Sequence, residues 1–99
     1  MRKYYSLKLI PPRLDFAQTM SGQERAVMQQ HLAYWADLMQ KGIALVYGPV
    51  LDPKGTYGLG IVAVEDEEQV RHITLHDPAA QINKYEYFPM LAIVRESKN

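Results

Sequence analysis

Residues 21–42, SGQERAVMQQHLAYWADLMQKG, carry both the start and the stop signal of one long helix, and that helix constrains everything around it. Ser21 and Glu24 have the spacing of a capping box, in which the hydroxyl accepts the Glu24 amide and the carboxylate reaches back to the cap. Gly42 is the left-handed residue that closes such a helix at about Lys41. Between them Val27, His31, Tyr34, Trp35 and Leu38 recur at three- and four-residue steps and form a single apolar stripe. A helix with one apolar stripe must lay it on a second layer. An ionisable imidazole inside that stripe needs an explanation, because a charged ring tolerates burial only beside an anion.

The rest of the chain supplies the second layer. Residues 3–10 (KYYSLKLI) alternate as a strand until Pro11-Pro12 stops it. A loop of about ten residues, PPRLDFAQTM, leads to the helix, and a loop that long is often functional. Residues 43–51 and 56–64 read as two strands of a hairpin around the turn Asp52-Pro53-Lys54-Gly55, with a bend or bulge expected at Gly48-Pro49. Gly58 and Gly60 fall on one face of the returning strand and leave it shallow, open to close approach by a ligand or another backbone. Asp66 caps a second helix over 67–76, with Glu67 and Glu68 near its positive end. Residues 84–96 read as a last strand, with an edge position or a bulge at Pro89.

The order β-α-β-β-α-β predicts an α+β, ferredoxin-like fold over residues 1–99 as a single domain: a four-stranded antiparallel sheet with both helices on one face. The strands carry Tyr, Val, Ile and Leu on both sides, so the other face needs a cover as well. The expected cover is a second copy of the chain, a homodimer through the open sheet face.

Composition removes several function classes. Eleven basic residues balance eleven acidic ones, so nothing attracts nucleic acid or a membrane surface over a distance. Aromatic residues without a basic stripe do not argue for RNA. The absence of cysteine excludes a thiol nucleophile, a disulfide framework and a Cys-based zinc site. No apolar run is long enough to span a bilayer, and the N-terminal residues lack the apolar core of a signal peptide. The expected location is the cytoplasm.

His31 therefore needs an anion, and Asp77 is the natural one. A ten-residue second helix antiparallel to the first brings its C-terminal end near the level of His31. An aspartate there faces the unfavourable end of the helix dipole and wants a donor. Such a pair does acid–base chemistry: the carboxylate fixes the tautomer while the other ring nitrogen carries the proton. The plainer reading is a core histidine bonded to a carbonyl or hydroxyl. Ser6, Ser21 and Ser97 have no nucleophile context. His72 and His76 have the i, i+4 spacing of a metal clamp but lack the accompanying glutamate, so no metal site is expected. Tyr34, Trp35, Tyr47 and Tyr57 are candidates to line an aromatic pocket.

The segment from His31 to Ala80 resembles the YCII-related (YciI-like) family. The matching positions are His31, Gly42, Gly48-Pro49, Asp52, Gly55 and Asp77-Pro78. The likeness is good over about residues 24–80 and looser in the flanking strands. It implies a dimeric α+β barrel in which two ferredoxin-like sheets pack face to face. It further implies a pocket lined by a His–Asp pair, His31 and Asp77, as the catalytic residues. Tyr34, Trp35, Tyr47, Gly48 and Pro49 are the expected substrate-binding residues. Related barrels carry out isomerisations and eliminations without a cofactor. The expected function is thus a cofactor-independent lyase or isomerase acting on a small molecule. The alternative is a ligand-binding or interaction module without catalysis. Two features depart from the family pattern: the first loop is longer and more apolar, and Ala79 stands where a bulky aromatic is usual.

Overall fold

The computed structural model describes residues 2–95. Its elements are β1 (Lys3–Ile10), α1 (Phe16–Thr19), α2 (Gly22–Gln40), β2 (Ala44–Val50), β3 (Tyr57–Val64), α3 (Glu67–His76), a 3₁₀ turn (Pro78–Gln81) and β4 (Lys84–Met90). The four strands form one antiparallel sheet in the order β2-β3-β1-β4, so the βαββαβ expectation holds. The two additions to it are the single turn α1 inside the first loop and the 3₁₀ turn after α3.

Local chemistry sets the helix ends where the sequence puts them. The Ser21 hydroxyl accepts from the Glu24 amide at 3.1 Å, and the Glu24 carboxylate accepts from the Ser21 amide at 2.8 Å. Gly42 has φ 77°, the left-handed conformation that costs a glycine nothing. The Asp66 side chain caps α3 by accepting from the Gln69 amide.

Alternation then sorts the sheet into two faces. Tyr5, Leu7 and Leu9 pair across with Val62, Gly60 and Gly58, and with Pro89, Tyr87 and Tyr85; all of these look toward the helices. Trp35 and Leu38 from α2 and Val70 and Ile73 from α3 pack onto them to close one core. Each large apolar side chain fully buried there contributes roughly 1.5–3 kcal/mol. The opposite face carries no helix. Val46, Leu59, Phe88 and Met90 are exposed on it.

Two expectations about the strands need correction. The irregularity in β2 is not at Gly48-Pro49, which pair regularly with Leu59 and Gly58. It sits at Leu45, between Ala44 paired with Val62 and Val46 paired with Ile61. β2 is an edge strand, whose unpaired side tolerates the missing N–H of Pro49. The displaced bulge has a consequence, because one extra residue flips the alternation beyond it. It turns Tyr47 and Pro49 toward the helices and Val46 away. The last strand also ends earlier than residue 96. Tyr4 pairs with Met90 and β1 begins at Lys3, so the ladder runs out of partner. Glu96 and Ser97 lie outside the described residues. Among the described residues no helix is long and apolar enough to cross a membrane.

Candidate functional site

A carboxylate buried in an apolar layer must be saturated with donors or it will not stay ionised. Asp77 is 2% exposed, the one buried charged residue among those described, and it is saturated. It ends α3 and caps the 3₁₀ turn, where its Oδ1 accepts from the Ala79 amide at 2.9 Å. Its Oδ2 accepts from the indole N–H of Trp35 at 3.0 Å and from the Tyr85 hydroxyl. His31 Nδ1 lies 2.8 Å from Oδ2 and 3.0 Å from Oδ1. Burial works to raise the Asp77 pKa, but the hydrogen bonds from His31, Tyr85 and the Ala79 amide together outweigh it and leave the carboxyl below its ordinary value. With an ionised acceptor at Nδ1, the neutral His31 ring carries its proton on Nδ1, and Nε2 keeps its lone pair.

Nε2 has no hydrogen-bond partner among the described residues. No buried side-chain N or O atom among them lacks a partner, so Nε2 is open to the space in front of it. That space is a cavity of about 230 Å³ between the helices and the sheet. Phe16 and Met20 from the first loop, Met28 and Leu32 from α2, and Tyr47 and Pro49 from β2 give it apolar walls. His31, Trp35 and Tyr85 form its polar end.

Two glycines make the floor. A Cβ on Gly60 would stand 2.5 Å from Cη2 of Trp35, and one on Gly58 would stand 3.2 Å from Cβ of Leu9. The close approach at Gly60 is made not by a ligand or another backbone, as expected, but by the Trp35 indole, whose N–H reaches Asp77. The indole is also 5.7 Å from the Tyr47 ring, centroid to centroid.

The first loop is the cavity's outer wall and is tied down by charge. The Arg13 guanidinium donates to both Glu24 carboxylate oxygens, at 3.0 and 2.8 Å, and to the Thr19 carbonyl at 2.7 Å. The Arg13 hydrogen bonds, backed by the Ser21 amide, hold the Glu24 carboxyl down to about 2. One carboxylate thus both caps α2 and anchors the loop.

The expected site residues are placed as follows. His31, Trp35, Tyr47, Gly48 and Pro49 line the cavity, as does Tyr57. Asp77 stands behind its wall and reaches it only through His31, Trp35 and Tyr85. Tyr34 is not among the lining residues. Its hydroxyl donates to the Ile73 carbonyl at 2.9 Å and ties α2 to α3. Burial, with the charges of Asp77 and Asp37, pushes that phenol up to about 12, so it stays a neutral donor. Tyr85 is the participant that sequence reasoning missed. Burial first, then the hydrogen bond to Asp77, raises its pKa, so it too serves as a donor and not as a base. The alternation of Tyr85 with Tyr87 signals the face of β4 it occupies, but nothing in the sequence signals a carboxylate waiting there. His72 and His76 stack on the exposed side of α3 with ring centroids 4.0 Å apart, and the His76 Nδ1 bonds the His72 carbonyl. Among the described residues no cluster of His, Asp and Glu is placed to hold a metal ion.

The arrangement can move a proton. Nε2 could accept one from a molecule in the cavity, and the imidazolium so formed would be balanced at Nδ1 by a carboxylate already in contact. Comparison with known proteins adds the family: the model of the YCII-related domain matches residues 11–93. No curated protein matches the chain.

Proposed function

The chain belongs to the YCII-related domain family, and we propose that it is a cofactor-independent acid–base enzyme acting on a small molecule, with His31 as the proton carrier and Asp77 as the residue that orients it. The observation that carries the reading is the free Nε2 at the end of an apolar cavity with Nδ1 fixed on a buried carboxylate. In a lyase or isomerase step Nε2 takes a proton from the bound molecule. The positive charge is shared with Asp77. The proton then returns at a neighbouring atom, or a leaving group departs and the proton is lost to water. Trp35 and Tyr85 hold the carboxylate in place. A second copy of the chain covers the open sheet face, on which Val46, Leu59, Phe88 and Met90 are exposed; large exposed apolar faces on small domains mark such contacts.

The test is turnover on a panel of small enolisable or halogenated ring compounds, followed by proton exchange with deuterated water and by halide release. His31→Ala should lower the rate about 10²–10⁴-fold while far-UV circular dichroism and dimer mass stay unchanged. A variant that keeps the wild-type rate contradicts the role of His31. Phe88→Lys should yield a monomer by light scattering, and an unaltered mass contradicts the sheet-face dimer.

A further inference from the structure

The walls of the cavity say what kind of molecule it takes. Its volume of about 230 Å³ exceeds the roughly 150 Å³ of an apolar cavity that holds benzene, so one ring with a few small substituents fits. None of the residues that line it is Lys, Arg, Asp or Glu. Asp77, which is negative, stands behind His31 and Trp35; of the two cations over lining rings, Arg13 above Phe16 is paired with Glu24, and Lys8, 4.4 Å from the Tyr57 centroid, extends on the sheet face away from the helices. Protonation of His31 only neutralises the charge of Asp77. A carboxylate or phosphate group placed here would lose its water and find no net positive partner, which is prohibitive in an apolar site. At the polar end the acceptor is the lone pair of Nε2, which matches a hydroxyl; Thr56 and Asn83 add polar groups elsewhere in the lining. The Trp35 and Tyr47 rings pack on each other at the same end, 5.7 Å apart by centroid and tilted by 41°, and both present aromatic surface to the cavity, on which a ring can pack.

Resting on the proposed acid–base reading, we infer that the cavity selects an uncharged, ring-sized, apolar molecule bearing a hydroxyl, and rejects anionic substrates of the same size. The first loop sets the size limit. Phe16, Ala17 and Met20 face the cavity from it, and the Arg13–Glu24 ion pair holds them there.

Trp35 is the single tryptophan of the sequence and lies in the cavity wall, so its emission reports occupancy directly. Titration of the full chain with phenol should shift Trp35 emission and raise the melting temperature. Benzoate and phenyl phosphate at pH 7.5 should bind at least tenfold more weakly. Toluene, which asks nothing of His31, should bind wild type and His31→Ala alike. Ala17→Phe, a change on the loop and away from the proton-transfer groups, should weaken phenol at least tenfold without altering the ligand-free melting temperature. If that temperature falls, Met20→Phe is the second filling variant, and the same loss is expected. Benzoate binding as tightly as phenol, no response to phenol at millimolar concentration, or phenol affinity untouched by either filling variant overturns the inference. The two readings fail separately. Turnover that survives His31→Ala removes the acid–base role and leaves the ligand class standing, whereas tight benzoate binding with His31-dependent turnover does the reverse.

Discussion

The layer between helices and sheet has two ends built in opposite ways. Under α3, Val62, Val64, Val70 and Ile73 are no more than 2% exposed and close on one another. Under α2, β3 contributes Gly58 and Gly60 where the other end has valines, and the space is taken by an indole, an imidazole and a cavity. The same strand thus makes solid core at one end and floor at the other. The difference teaches that the cavity comes from residues that withhold a side chain, opposite aromatic groups whose polar edges converge on Asp77. The solid end keeps α3, and with it Asp77, in register.

Experiments can break that comparison at either end. The largest effect should come from the node that joins them. Asp77→Ala leaves the His31, Trp35, Tyr85 and Ala79 donors without their common acceptor. Orphaned buried donors cost about 1–3 kcal/mol each, eased by water from the cavity, so a loss on the order of 3 kcal/mol is expected in chemical denaturation. Next, Ile73→Ala in the solid end should cost about 2–3 kcal/mol, within what such truncations give, whereas Met20→Ala, which borders a cavity already there, should cost less than about 1 kcal/mol. Equal losses would mean that the two ends do not differ in packing. Gly60→Ala should cost about 1–3 kcal/mol by overpacking against Trp35 and should change Trp35 emission, while a methyl group at an exposed helix position does neither.

The smallest effect is in pH dependence. The Asp77 carboxyl is held below its ordinary value in the fold. Its contribution is therefore fully present above that ordinary value, near 3.9, and is lost as pH falls through the lowered one. Glu24, held down to about 2, acts with the same sign. Melting temperature should fall between pH 4 and pH 2 in wild type, and the fall should be shallower in Asp77→Asn. Adding Glu24→Gln should flatten it further. An acid limb that is identical in all three would show that neither carboxylate is coupled to folding.

What the sequence made legible follows the range of the forces involved. The Ser21–Glu24 box, the Gly42 terminator and the Asp66 cap are settled within four residues, and each is where its chemistry puts it. The meeting of His31 with Asp77 spans 46 residues, yet it was legible because helix rise and dipole direction fix the level of α3's end. The bulge at Leu45 was not, because it depends on how β2 meets β3 across the sheet, and Gly48-Pro49 offered a stronger local signal in the wrong place. That bulge is what turns Tyr47 inward. Tyr85 was invisible as a participant for a similar reason. Its role lies in a hydroxyl whose partner comes from the turn eight residues earlier, not in any local pattern. Tyr34 went the other way: the right stripe of α2, but a position whose hydroxyl reaches the Ile73 carbonyl instead of the cavity.

The account rests on a histidine that is held at one nitrogen and free at the other. The nitrogen-15 spectrum of the His31 side chain, recorded on the full chain with the ring in its neutral form, reads this directly. The account predicts a proton on Nδ1, shared with Asp77, and a bare Nε2 whose shift moves when phenol is added. A proton found on Nε2, or a ring whose shifts ignore phenol, contradicts it.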